Sequence, residues 1–174
     1  MNTTLILVTV LIVAVGLERL AELVVAKRNA AWSFARGGVE SGQGHYPVMV
    51  VLHTALLVGI LVEVWVARPP FLPALGVAML VLALGSQVLR WWCITTLGPR
   101  WNTRVIVVPG LPLVSAGPYR WLSHPNYVAV VVEGFALPLV HSAWRTALLF
   151  TLANAALLTV RIRTESAALR AATA

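Results

Sequence analysis

The sequence predicts an all-α integral membrane protein with about five transmembrane helices, its N-terminus outside and its C-terminus cytoplasmic. Three observations carry that reading. The chain of 174 residues is 59% hydrophobic and only 11% charged, too apolar for a soluble domain of this length. Its apolar residues gather in runs close to the ~20 residues that a helix needs to cross a ~30 Å bilayer core. Its Lys and Arg residues, 13 against 6 acidic residues for a formal net charge of +7, sit between those runs.

The first run extends from about Thr4 to Ala26, the second from Tyr46 to Val66 and the third from Phe71 to about Thr96. The fourth, Asn126 to Val140, is short. The fifth, Ala143 to about Val160, continues as a polar helical tail. Val, Leu and Ala dominate all five, and backbone groups in lipid must be satisfied internally, so each run reads as a helix. The start of the chain is a first span rather than a cleavable signal. Met1-Asn2-Thr3-Thr4 has no basic residue, and the apolar run continues into Glu18-Arg19 without a small-residue cleavage site.

Orientation follows from the positive-inside rule. With the N-terminus outside, the first inner loop holds Lys27, Arg28 and Arg36. The second holds Arg100, Arg104 and Arg120, with Arg90 near its start, and the C-terminal tail holds Arg161, Arg163 and Arg170. Only Arg68 and Arg145 fall outside, and Arg19 lies within the first helix. The organisation divides into residues 1–100, carrying three helices, and residues 101–174, carrying a loop, a helical hairpin and the tail.

Composition also excludes several classes. The basic residues come with no stacking platform or basic groove, so contact with anionic membrane lipid explains them better than nucleic acid. The single Cys93 excludes an internal disulfide and a cysteine-rich metal site. His45, His53, His124 and His141 lack the spacing of a zinc helix, so no metal is expected. No Gly-rich phosphate loop is present, so a nucleotide-like cofactor would bind outside a Rossmann fold.

The long inner loop concentrates the polar chemistry. Trp101 to Val108 is β-branched and reads as an extended piece, followed by turns at Pro109-Gly110 and Gly117-Pro118. His124-Pro125 forces an extended residue before the proline, and Pro125 can open the fourth helix. Asn126 and Tyr127 then lie at a helix N-terminus, whose free N–H groups favour an anion. A tight hairpin near His141-Ser142 should return Arg161, Arg163 and Glu165 to the neighbourhood of His124–Tyr127. Two polar clusters distant in sequence would thus meet at one membrane face.

Each residue also has an ordinary reading. His124 can be a loop histidine satisfied by backbone, and Tyr119 and Tyr127 interfacial aromatics. Arg161 and Arg163 can be positive-inside anchors, whereas Glu165 stands out among so few acidic residues. Glu133, about two turns inside the fourth helix, should face the bundle interior or a cavity, where it meets an Arg or a ligand amine or stays protonated. Glu18, Arg19 and Glu22 can neutralise one another or line the site. His53, Gln87 and Asn154 read as polar ties between helices. Trp91, Trp92 and Trp101 read as an aromatic belt.

Gly117-Pro118-Tyr119-Arg120, Ser123-His124-Pro125-Asn126-Tyr127 and Arg161-Ile162-Arg163-Thr164-Glu165-Ser166 together resemble the signature of the isoprenylcysteine carboxyl methyltransferase family. The resemblance covers about Trp101 to Leu169. Ser123 and Ser166 replace an Arg and a Glu usual in that pattern. Glu18-Arg19-Leu20-Ala21-Glu22-Leu23 and His45-Tyr46-Pro47 look more like a bacterial branch, some of whose members are associated with polyketide synthases and O-methylate long-chain alkylpyrones.

The resemblance implies S-adenosylmethionine as cofactor, bound in a cytoplasmic loop by Tyr119, His124, Pro125, Asn126, Tyr127 and Glu165. It implies Arg161 as the residue that steers an anionic acceptor oxygen. The acceptor would be a lipophilic carboxylate, enol or phenol entering from the bilayer, such as an alkylpyrone or a prenylcysteine-like molecule. A lipid- or polyketide-synthesising enzyme would be a partner. An unactivated phenol would need a base, for which His124 and Glu133 are the candidates. Two alternatives stand beside this one. A membrane-bound NADPH-dependent double-bond reductase would need more spans than the chain has. A non-catalytic scaffold or small transporter would more often show internal repeats, and none is evident.

Overall fold

The computed structural model describes residues 3–173. Five helices carry the chain: α1 (Thr3–Phe34), α2 (His45–Val62), α3 (Pro73–Leu97), α4 (Pro125–Leu139) and α5 (Trp144–Thr173). A two-stranded antiparallel ribbon, β1 (Val39–Ser41) with β2 (Val105–Val107), ties together the two long loops. Its register places Glu40 opposite Ile106, and Arg104 Nη1 donates to Glu40 Oε2 at 3.0 Å beside it. The extended piece expected after Trp101 is therefore present as β2, paired with a strand that the sequence did not announce.

The expected five spans become four helices of spanning length and one short helix. Helix α1, α2 with the widened turn that continues it to Ala67, α3 with its last turn to Arg100, and α5 are long and apolar enough to cross a bilayer. Helix α4 has 15 residues, roughly 22 Å at 1.5 Å per residue, and falls short of a ~30 Å core. It starts and ends inside the protein. Pro125 is buried at its first turn, and the link to α5 is buried too, with His141 only 3% exposed.

The surface supports the membrane reading. Leu7, Val10, Leu17, Leu20 and Val24 on α1 and Val51, Val66, Val77 and Val88 on α2, its continuation and α3 are exposed apolar residues, as lipid-facing positions must be. Lipid is as apolar as leucine, so helices are held by close packing and polar contacts rather than by expulsion from water. Gly134 illustrates this: a Cβ there would occupy the space of the Phe150 ring, so its absence lets α4 and α5 approach.

The two ends of the bundle differ. At one end, the loop end, the β-ribbon meets the ends of α1, α3 and α5. Asn29 Nδ2 donates to the Trp101 carbonyl at 2.7 Å and Asn102 Nδ2 to that of Ala26 at 3.0 Å. The Gly110 N–H donates to Ala172 O at 3.4 Å. At the far end His141 Nε2 lies 3.2 Å from Thr4 Oγ1, and Glu63 accepts from the backbone N–H groups of Arg145 and Thr146 at 3.2 and 2.8 Å. Glu63 thereby caps the first turn of α5 from the widened turn that continues α2, serving donors that a helix start leaves unpaired.

Two arginines, one of them expected at a loop, join a polar network inside the bundle. Arg90, placed by sequence near the start of a loop, is 5% exposed on α3 and pairs with Glu133 of α4. Arg19 joins Glu22 at 2.7 Å, Gln87 at 2.8 Å and Glu133 at 3.3 Å. The patch on α1 is therefore not merely self-neutralising; it ties α1 to α3 and α4. Gln87 is the inter-helix tie expected of it, donating to Glu133 at 3.1 Å. Glu133 has the Arg neighbour that intramembrane cost demands. Trp101 is not a belt residue: it is 3% exposed and packs with Ala26 and Ile94. Trp91 donates to Glu18 at 2.6 Å, and Trp92 meets Trp121 edge-on at 6.0 Å.

Candidate active site

The turn Gly117–Arg120 begins the site. Gly117 has φ +53 and sits against Thr96 and Trp92, where any side chain would collide with α3. This contact seats Tyr119 beside Cys93, and burial pushes the Tyr119 hydroxyl well above the usual phenol range. Ser123 is exposed. The chain then extends through His124 (φ −135, ψ 60), and Pro125 opens α4 at a position that needs no N–H donor.

Helix α5 supplies the other half. Glu165 Oε2 lies 3.6 Å from His124 Nδ1, and Ser166 Oγ lies 3.2 Å from His124 Nε2. Both ring nitrogens are thus held from one helix. The hydrogen-bonding pull of Glu165 raises the His124 pKa above its ordinary value. The Tyr127 ring stacks on the His124 ring with centroids 5.5 Å apart, and the Arg161 guanidinium carbon lies 5.9 Å from the Tyr127 centroid. Ser166, which departs from the expected Glu, occupies a working position against His124.

Arg161 is the unusual member. It is only 4% exposed, and Nη2 donates to the Thr103 carbonyl at 2.9 Å. Among the described residues, its Nε and Nη1 are buried without a hydrogen-bond partner, as is Asn126 Oδ1. Orphaned buried donors on a cation are costly, and a ligand's anionic oxygen would satisfy them. The α4 N-terminus contributes less than the sequence suggested, because the N–H groups of Tyr127 and Val128 already bond to the His124 carbonyl at 3.1 and 3.4 Å.

The structure therefore brings Tyr127, His124, Glu165, Ser166 and Arg161 together, with Pro125 and Asn126 between them in the chain and Tyr119 on the adjoining turn. It does not bring Arg163, which is exposed, or Glu133, which lies roughly 13 Å further along α4 by helical rise. Glu133 is tied instead to Arg90, Arg19 and Gln87, away from the His124 cluster. Thr103 and His45 were not singled out by spacing. Thr103 meets Arg161 through its backbone, and His45 lies in the field of Arg161 across the loop end. No sequence pattern encodes either contact.

The model of the isoprenylcysteine carboxyl methyltransferase (ICMT) family matches residues 77–171, a stretch that contains α4, α5 up to residue 171 and every member of the His124 cluster. The uncharacterized protein YpbQ of Bacillus subtilis (strain 168) is 39% identical over 165 residues, covering 94% of this chain and 95% of the relative. The chain therefore belongs to the isoprenylcysteine carboxyl methyltransferase family.

Proposed function

We propose that this integral membrane protein is an S-adenosylmethionine-dependent O-methyltransferase whose acceptor is a lipophilic molecule with an oxygen that is already anionic. The observation that carries the reading is Arg161, a buried guanidinium with two unpaired N–H groups beside the His124–Glu165 pair. Family members use S-adenosylmethionine, and the residues present suit it. Glu165 can accept from hydroxyl or amine groups, the Tyr127 and His124 rings offer flat apolar faces, and buried Asn126 Oδ1 awaits a donor. When bound, the cofactor supplies an electrophilic methyl carbon: a C–O bond forms as the C–S bond breaks, and the electron pair leaves on sulfur.

The residues of the chain then have three tasks. Arg161 holds and aims the acceptor oxygen. Glu165, through His124, fixes the ring on which Tyr127 stacks. Arg161 is buried and His124 and Glu165 are half-buried, a partly desolvated setting that favours a reaction in which opposite charges disappear. Neither residue expected as a general base is free, because both nitrogens of His124 are engaged and Glu133 is ion-paired. This favours a carboxylate or acidic enol, such as a long-chain alkylpyrone, over an unactivated phenol. Alignment of the reactants is then the main source of rate, worth about 7–11 kcal/mol at most.

The side of the membrane follows the basic residues. Lys27, Arg28, Arg36, Arg100, Arg104, Arg120, Arg161, Arg163 and Arg170 belong to the loop end, and Arg68 and Arg145 to the far end. The loop end, with the site, therefore faces the cytoplasm. Binding of S-adenosylhomocysteine to the purified chain, with NADPH as comparison ligand, tests the proposal. Saturable binding of the former alone is expected, binding of NADPH alone would point to a reductase, and binding of neither to a scaffold. In methyl-transfer assays Arg161→Ala should lower turnover more than tenfold with little change in S-adenosylhomocysteine affinity.

A further inference from the structure

A cavity of about 440 Å³ lies at the far end of the bundle, opposite the His124 cluster. The first turn of α1, the link from α2 to α3 and His141 in the link from α4 to α5 line it. The α2–α3 link is stiff. Arg68 takes a left-handed backbone conformation (φ 46, ψ 55) that stops the widened turn continuing α2, and Pro69 and Pro70 fix the backbone after it. Leu5, Trp65 and Phe71 supply apolar and aromatic wall.

The polar part of the wall is all donor. No carboxylate lines the cavity. Arg68 is exposed and has no ion pair or hydrogen bond among the described residues. The nearest acid along the chain, Glu63, is occupied by Arg145 and Thr146. His141 is 3% exposed, with Nε2 3.2 Å from Thr4 Oγ1 and Nδ1 buried without a partner. An orphaned buried N–H is rarer than an orphaned lone pair, so the proton belongs on Nε2, which donates to Thr4 Oγ1. Among the described residues the Thr4 hydroxyl then has a proton to donate and no acceptor. Thr4 and Leu5 also lie at the positive end of the α1 dipole.

The depth matches this chemistry. Trp65 is 40% exposed beside Arg68, and such a pair marks the headgroup level of a bilayer. Val62, Val66 and Leu72 around them are exposed apolar residues that suit an acyl chain and offer nothing to a soluble anion. We infer that this cavity binds the phosphate headgroup of an anionic phospholipid from the outer leaflet, with Arg68 as counter-charge, Thr4 as hydrogen-bond donor and one acyl chain over Trp65 and Val66. A zwitterionic headgroup fits less well, because its ammonium group would meet Arg68 with no carboxylate to balance it. The site lies on the membrane face opposite the cofactor cluster and does not rest on the methyltransferase reading.

The test uses the full chain in phosphatidylcholine nanodiscs doped with a phosphatidylglycerol probe that carries a diazirine on the first carbons of one acyl chain. At the far end, crosslinks should map to residues 65–71 and 4–5. Unlabelled phosphatidylglycerol should compete, whereas phosphatidylethanolamine and inorganic phosphate should not. Arg68→Gln should lower the far-end yield about tenfold, and Arg68→Lys should keep most of it. Arg145→Gln, which removes the other far-end cation, should leave it unchanged. Crosslinks at the loop end, where Lys27 and Arg28 attract the same headgroup, are the reference against which far-end yields are measured. Equal competition by phosphatidylethanolamine overturns the assignment, since the cavity would then hold bulk lipid. Competition by inorganic phosphate as strong as by phosphatidylglycerol overturns it as well, in favour of a soluble anion. So does a wild-type yield in Arg68→Gln, or an equal loss in Arg145→Gln, which would reduce the effect to the overall charge of that face.

Discussion

Glu165 on α5 lies 3.6 Å from Nδ1 of His124, the residue that precedes α4, so a helix end and a loop far apart in sequence form one ionic contact. The contact exists because the short α4 turns back through a buried link at His141–Ser142 and α5 runs the full length of the bundle. If this contact organises the cofactor site, Glu165→Gln and His124→Ala should each weaken S-adenosylhomocysteine binding by roughly tenfold or more, the scale of a lost charge-assisted hydrogen bond. Calorimetry on the detergent-purified variants checks this. Wild-type affinity in both would remove the site assignment.

The same contact predicts a pH dependence. Glu165 raises the folded His124 pKa above its ordinary 6.5, so folding favours the protonated ring. The resulting stabilisation is fully present below the unfolded value and disappears as pH rises through the folded value. The difference in melting temperature between wild type and Glu165→Gln should therefore be largest near about pH 6 and shrink toward about pH 9. A difference that grows with pH would contradict this.

The pair Arg90–Glu133 is enclosed, with side-chain exposures of 6% and 9%. Removing one member weakens a buried network in which Glu133 also meets Arg19 at 3.3 Å and Arg90 also meets Glu22 at 3.6 Å, so Arg90→Met or Glu133→Leu alone should cost about 1–3 kcal/mol. The double variant should recover much of that loss, because two apolar side chains suit this depth better than a lone charge. Unfolding of the single and double variants in detergent gives the coupling directly. Additive losses would mean that the pair is not a unit.

Gly134 admits the Phe150 ring at the closest approach of α4 and α5. Gly134→Val should destabilise the protein by about 1–3 kcal/mol through overpacking. Because α5 carries Arg161 and Glu165, cofactor affinity should fall with it. Gly134→Val combined with Phe150→Ala should regain stability, which thermal unfolding of the two variants would report.

Glu63 caps α5 at the far end with three hydrogen bonds, including Thr146 Oγ1 at 2.7 Å. Glu63→Ala should lower stability by about 1–2 kcal/mol, the scale of a lost helix cap. Cofactor affinity should not change, since the contact lies at the end opposite the site.

The sequence by itself determined the class of this protein. Runs of Val, Leu and Ala of membrane length leave helices as the one arrangement that satisfies their backbone, and Pro125 marks where one of them starts. The cluster around His124 was legible for a similar reason: Pro, Tyr, His and Asn crowded beside apolar runs are costly without a purpose, and a tight hairpin leaves α5 one place to return. Tertiary structure decided the rest. Length marked the fourth run as short but could not reveal that α4 is buried at both ends. Hydropathy could not place Arg90 against Glu133 or Arg19 across three helices, because such pairs depend on which faces of α1, α3 and α4 meet. The unpaired donors of Arg161 and the cavity beside Arg68 arise from how the helices, their links and the β-ribbon close around the two ends of the bundle, a matter of spatial arrangement that no local pattern carries.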